Sequence, residues 1–191
     1  MRRRDLLVGV GGLTAVVGVA ALATRGPPGA GDGADADEDG ENEDDRRTGP
    51  PFEVRTIDAP GSESGTVSLP EPGRFRLVNF ARTRCPTSRA TLSALAGARA
   101  AVDDADAAFL TITDPTRDPA DSDERFAEWW TETDGGWPLG VDDGGVVNDH
   151  YGVGGFPTTM LLDGEGTIRW RRSGRLADHV VVEAIEAAVR G

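Results

Sequence analysis

Cys85 is the one cysteine of the chain, and it stands in a basic, helix-initiating context: Arg82-Thr83-Arg84-Cys85-Pro86-Thr87-Ser88-Arg89. With a single thiol no disulfide can form within the chain, so redox chemistry at Cys85 must join it to a second molecule. Pro86 suits the first position of a helix, where its missing N–H would have had no partner. A thiol placed just before that helix faces unpaired backbone N–H groups and the positive end of the helix dipole, which favour the thiolate over the thiol. Arg82, Arg84 and Arg89 add positive charge. Ser88, three residues on, lies within reach across the first helical turn and can donate a hydrogen bond to the sulfur. The chemistry expected is that of an activated thiolate, with Cys85 as nucleophile and Ser88 and Arg84 stabilising its charge. The alternative is an inert cysteine at an ordinary strand-to-helix junction.

Few other residues invite chemistry. His150 and His179 are the only histidines, and both read as structural or surface residues, so no metal and no cofactor is expected. Trp129, Trp130, Trp137 and Trp170 read as packing residues rather than a ligand cage.

The elements that must hold Cys85 begin at Phe52. Alternation over Phe52–Ile57 suggests a strand, and Thr66–Leu69 a second, shorter one. Arg74–Phe80 ends as a buried strand and feeds the cysteine segment. The helix after Cys85 places Leu92, Leu95, Ala96 and Val102 on one face. Ala107–Ile112 is a continuous apolar run, as in a strand covered on both faces. Asp121-Ser122-Asp123-Glu124 opens a helix with acids at its positive end and an aromatic face of Phe126, Trp129 and Trp130. Pro157–Leu162, a turn at Asp163–Gly166, and Thr167–Arg171 form a hairpin. Val180, Val181, Ala184, Ile185, Ala188 and Val189 recur at helical spacing to close the chain. Alternating strands and helices followed by a hairpin and a helix give an α/β fold, a central sheet between helix layers.

Composition bounds the partners. The chain has 33 acidic residues against 20 basic ones, a formal charge of −13, and every basic residue is arginine. Such a surface repels nucleic-acid phosphates, so nucleic acid is excluded as a partner. Acids are spread through the body (Asp103, Asp104, Asp106, Asp118, Asp121, Asp123, Asp142, Asp143) as well as through the segment before Phe52. The composition resembles that of haloarchaeal proteins, whose carboxylates hold water while salt screens their repulsion.

Arg2, Arg3 and Arg4 precede an uncharged run from Leu6 to Ala23, close to the lower length limit for a bilayer-spanning helix. A basic flank, an apolar stretch and the end Ala21-Leu22-Ala23 match a secretory signal, and Arg3-Arg4-Asp5-Leu6-Leu7 resembles the twin-arginine export motif. Residues 1–23 are therefore expected to be a signal peptide or membrane anchor. Residues 24–51, rich in Gly, Pro, Asp and Glu, are expected to be an acidic tether, and residues 52–191 the folded domain outside the membrane.

Leu77-Val78-Asn79-Phe80-Ala81-Arg82-Thr83-Arg84-Cys85-Pro86-Thr87-Ser88 resembles the LVNFWATWCPPC segment of TlpA-type thioredoxin-like proteins of the AhpC/TSA–redoxin superfamily. Tyr151-Gly152-Val153-Gly154-Gly155-Phe156-Pro157-Thr158-Thr159-Met160-Leu161-Leu162-Asp163 resembles their YGVxGxPTTFLID segment. The resemblance runs from Phe52 to the end of the chain. It implies a thioredoxin fold, a central mixed sheet flanked by helices with extra N-terminal strands, and places Cys85 at the family's nucleophile. It also implies that Pro157 is the family's cis-proline and that Phe156, before it, contacts client backbone beside the thiol. The departures are specific. Ser88 replaces the resolving cysteine, Ala81 and Arg84 replace tryptophans, and Asn79 stands where many thioredoxins have a buried acid. The activity implied is that of a monothiol, monomeric thioredoxin-like protein engaging client thiols or disulfides outside the cell, by mixed disulfides. Two alternatives stay open. One is a one-cysteine peroxidase, since Cys85-Pro86-Thr87 echoes the peroxiredoxin VCPT segment, although Arg82 occupies the place of that family's threonine. The other is a non-catalytic binding module that keeps only the fold.

Overall fold

A computed structural model describes residues 49–118 and 122–191; the signal or anchor segment expected over 1–23 and the tether up to residue 48 lie outside these residues. The domain is organised by one strand, β3 (Phe75–Phe80), of which five of six residues are buried. It pairs in parallel with β4 (Ala107–Thr113) and antiparallel with β6 (Thr158–Leu162). Beyond β4 lies β5 (Leu139–Val141), also parallel, followed by β1 (Phe52–Thr56) and β2 (Gly65–Leu69), both antiparallel to their neighbours. β7 (Ile168–Ser173) closes the other edge, giving the order β2-β1-β5-β4-β3-β6-β7. The sheet is mixed, as the resemblance implies.

Because side chains alternate along a strand, each register row of this sheet commits to one face. Leu77 sits opposite Phe109 and Leu161, and all three enter one apolar cluster. Val78, one residue on, sits opposite Leu110 and Met160, and these enter the other. The first face is covered by α1 (Pro86–Ala101), α2 (Asp123–Glu132) and α4 (Asp178–Arg190), through Leu92, Leu95, Phe126, Trp130, Val181 and Ile185. The second is covered by the short α3 (Val146–His150), through Val147, together with Tyr151 and Val153. Ser122 caps α2, accepting from the Arg125 N–H, with Asp123 and Glu124 in the first turn.

The tryptophans pack as expected. Trp129, Trp130 and Trp137 are buried, Trp130 meets Trp137 edge-on at 5.1 Å, and the Trp130 indole donates to the Pro60 carbonyl at 3.0 Å. His150 packs edge-on against Phe52 at 5.0 Å, while His179 is exposed beside Asp178. Two elements, β5 and α3, have no counterpart in the sequence reading. β5 has three residues, too few for a periodicity to register. Its Gly140 lets β1 close on it: a Cβ there would lie 2.6 Å from Val54 Cγ1.

Leu92 ties α1, and so the start of the helix at Cys85, into the first cluster, with no exposed surface. Leu92→Ala should cost about 2–5 kcal/mol in urea denaturation, since a truncated core leucine loses transfer energy and leaves a cavity. Val189→Ala on α4, 45% exposed, should change stability by less than about 0.5 kcal/mol.

Candidate functional site

Cys85 is the N-cap residue of α1, in extended backbone geometry (φ −96°, ψ 112°), with Pro86 at the first helical position. A tight turn precedes it, in which the Cys85 N–H donates to the Arg82 carbonyl at 3.2 Å. The helix then starts on the Cys85 carbonyl, which accepts from the Arg89 N–H at 3.2 Å. The sulfur does what a capping oxygen usually does: it accepts from the Ser88 N–H at 3.4 Å, satisfying one of the donors that a helix start leaves open.

Ser88 is fully buried, and its Oγ accepts from the Arg82 N–H at 3.2 Å. Its own hydroxyl hydrogen is thereby directed elsewhere, and it is a donor to the sulfur. Burial pushes the Cys85 thiol up, but the hydrogen bonds together outweigh it. The Ser88 hydroxyl, the Ser88 and Thr87 N–H groups and the Thr87 side chain hold the pKa below the ordinary thiol value. These contacts, rather than attraction from neighbouring arginines, set the direction of the shift. Thr87 is a contributor that the sequence did not single out; its place in the first helical turn was the available signal.

On the open side of the sulfur lies the loop before β6. The Phe156–Pro157 peptide is cis, and the Cys85 thiol donates to the Phe156 carbonyl at 3.7 Å. The tertiary fold thus brings together Cys85, Ser88, Phe156 and Pro157, which the sequence holds far apart. The arginines part company. Arg82 lies over the Phe156 ring, 4.5 Å from its centroid, with Nε 3.8 Å from Asp118. Arg89 turns away and pairs with Glu132 at 3.1 Å. Arg117, not singled out from the sequence, arrives from the loop after β4. It lies 5.9 Å from the Phe156 ring centroid, donates to the Val153 carbonyl and Asp149, and pairs with the buried Asp114.

Below the junction, Asn79 is buried on β3 and donates to Thr159 Oγ1 at 2.9 Å, while its own Oδ1 has no partner. An amide at this point moves no proton.

A mixed sheet between helix layers, with a thiol at the N-terminus of the helix after a central strand and a cis X-Pro loop facing it, defines a thioredoxin-fold protein. The chain belongs to the AhpC/TSA family, whose model matches residues 48–171. It is 30% identical over 135 residues to the thiol:disulfide interchange protein DsbE of Yersinia pestis, covering 69% of this chain and 65% of that protein. It is 30% identical over 138 residues to DsbE of Escherichia coli, covering 72% of this chain and 69% of that one. The chain therefore spans about two thirds of the length of these curated relatives. Among solved structures, the exposed lipoprotein thioredoxin of Streptococcus pneumoniae superposes with a TM-score of 0.60 at 23% identity, covering 71% of this chain and 98% of that one. A secreted disulfide oxidoreductase of Mycobacterium tuberculosis superposes with a TM-score of 0.59 at 16% identity, covering 75% and 98%. These two share the fold.

Only the thiolate is alkylated at an appreciable rate, so the Cys85 rate should climb with pH and level off above its pKa. Wild type should level off at lower pH than a free thiol, whose pKa is about 8.5. Ser88→Ala removes one donor and should move the inflection upward, with a smaller move for Thr87→Ala. Identical inflections in wild type and Ser88→Ala would take Ser88 out of this role.

Proposed function

We propose that this chain is an exported, monothiol thioredoxin-like protein that captures client disulfides through Cys85. The observation that carries the proposal is the sulfur at the α1 N-terminus, its thiol pKa lowered by hydrogen bonds from Ser88 and Thr87, facing the Phe156 carbonyl. The thiolate attacks one sulfur of a client disulfide. The client S–S bond breaks, its other sulfur leaves as a thiolate and takes a proton from water, and Cys85 is left in a mixed disulfide. Phe156 and Pro157 line the side from which client backbone approaches, and Arg84 adds positive charge to the loop beside the thiol.

Release is where this protein parts from the two-cysteine pattern. The group one turn into the helix is the Ser88 hydroxyl, which has no sulfur with which to displace a client. Turnover then requires an external thiol. Protein thiols and disulfides as clients fit the relatives, which are named as thiol:disulfide interchange proteins. A place outside the membrane fits the secreted and lipoprotein neighbours, with residues 1–23 as signal or anchor, 24–51 as acidic tether and 52–191 as a monomeric domain suited to high salt. The peroxidase alternative is weakened by Arg82, whose guanidinium is engaged with Phe156 where a peroxide-binding threonine would be needed.

The test is capture and release of a disulfide-bonded model peptide. Wild type should accumulate a mixed disulfide and release it slowly, and Cys85→Ala should capture none. Ser88→Cys should speed release by internal attack, since the two sulfurs would lie one helical turn apart. Equal binding of native partners by wild type and Cys85→Ala would instead favour the non-catalytic module.

A further inference from the structure

Phe156 fixes two groups at once. Its carbonyl oxygen lies 3.7 Å from the Cys85 sulfur, and its ring carries the Arg82 guanidinium at 4.5 Å. The Arg82 backbone is tied to the start of α1 from both sides, its N–H donating to Ser88 Oγ and its carbonyl accepting from the Cys85 N–H. A cation therefore rests on the same residue whose carbonyl meets the reactive sulfur, in a chain whose formal charge is −13.

Arg82 is also the arginine here with capacity to spare. Arg89 is committed to Glu132, and Arg117 to Asp114, Asp149 and the Val153 carbonyl. The Arg82 side chain is 36% exposed, and its Nε is buried with no hydrogen-bond acceptor; the Asp118 carboxylate lies beyond hydrogen-bond reach at 3.8 Å. Stacking on a ring occupies one face of a guanidinium and leaves its in-plane N–H fork for a planar acceptor such as a carboxylate. An incoming carboxylate at about 2.8 Å from the exposed part of the guanidinium would make a charge-assisted contact there.

We propose that Arg82, stacked on Phe156 beside Cys85, is the specificity-determining residue that selects anionic reactants: client disulfides with a carboxylate next to the attacked sulfur. This rests on Cys85 being the nucleophile proposed above. The acidic body repels such clients at long range, yet salt screens that repulsion, since the Debye length is about 8 Å at 0.15 M and about 3 Å at 1 M. A contact pair with Arg82 is screened far less. Selection by Arg82 therefore survives in salt where the repulsion does not.

Two alkylating agents of the same reactivity class but different charge read this directly. Iodoacetate and iodoacetamide are reacted with the full chain, and the ratio of their rates is divided by the same ratio for a small free thiol. For one unit charge at contact distance the normalised ratio should exceed one by about fivefold in wild type. Arg82→Gln should bring it to about one, and Arg82→Lys should keep most of the preference. A normalised ratio of one in wild type, or an unchanged ratio in Arg82→Gln, overturns the proposal. If Arg82→Gln fails to fold, Arg82→Ala takes its place in the comparison, and in wild type the ratio must stay above one as salt rises from about 0.15 M to about 1 M. Alkylation reports charge selection whether or not Cys85 captures disulfides. Failure of capture by Asp-flanked and Arg-flanked disulfide peptides alike would reject the disulfide chemistry, whereas capture without preference for the Asp-flanked peptide would reject the role of Arg82.

Discussion

A helix start leaves its first backbone N–H groups without partners, and in this protein a sulfur sits where a capping oxygen would. The consequences spread outward from the Cys85–Ser88 contact. The sulfur gains donors from Ser88 and Thr87 that outweigh the cost of its partial burial, so the charged form is favoured without a cationic neighbour being required. Ser88, drawn inward to supply them, uses its oxygen to hold the Arg82 backbone. That in turn positions the guanidinium over Phe156. The geometry of the whole site follows from how α1 begins.

The helix can begin there only because the sheet holds both ends of the junction. β3 runs between β4 and β6 and delivers the chain at one end of the strands, and the Phe156–Pro157 loop arrives at the same end on the way into β6. α1 is pinned from below by Leu92 and Leu95, and from the side by Thr91, whose hydroxyl donates to the Gly174 carbonyl at 3.3 Å. Parallel neighbours and antiparallel neighbours thus meet at the sulfur, and the thiol faces backbone carbonyl rather than a second side-chain sulfur.

Substitutions relative to the two-cysteine pattern reinforce one another. With Ser88 for the resolving thiol there is no internal nucleophile to activate, and Asn79 at this point offers no carboxyl to shuttle a proton for it. Both positions keep hydrogen-bonding capacity while losing titration. Under the proposed capture chemistry this leaves one covalent step at the site, with arginines around it in a protein that has no lysine.

Much of this was legible in residue order. Apolar runs in β3 and β4, helical spacing in α1 and α4, and the Asp-Gly-x-Gly turn before β7 each rest on local periodicity or turn chemistry, which short windows of sequence carry. The position of Cys85 before a helix was likewise local, since Pro86 marks the first turn. β5 and α3 were not legible, being too short to show a period and stabilised by packing rather than propensity. The roles of the arginines were not legible either. From the sequence, Arg82, Arg84 and Arg89 formed one cationic group beside the thiol. The fold sends Arg89 to Glu132, stacks Arg82 on a residue from the far side of the chain, and brings in Arg117 from another loop. Sequence alone determined which side chains were available near the sulfur, because neighbours along a chain stay neighbours. Only the tertiary structure decided which of them face it, because a flexible arginine goes to whichever carboxylate or ring the packing of other elements leaves within reach.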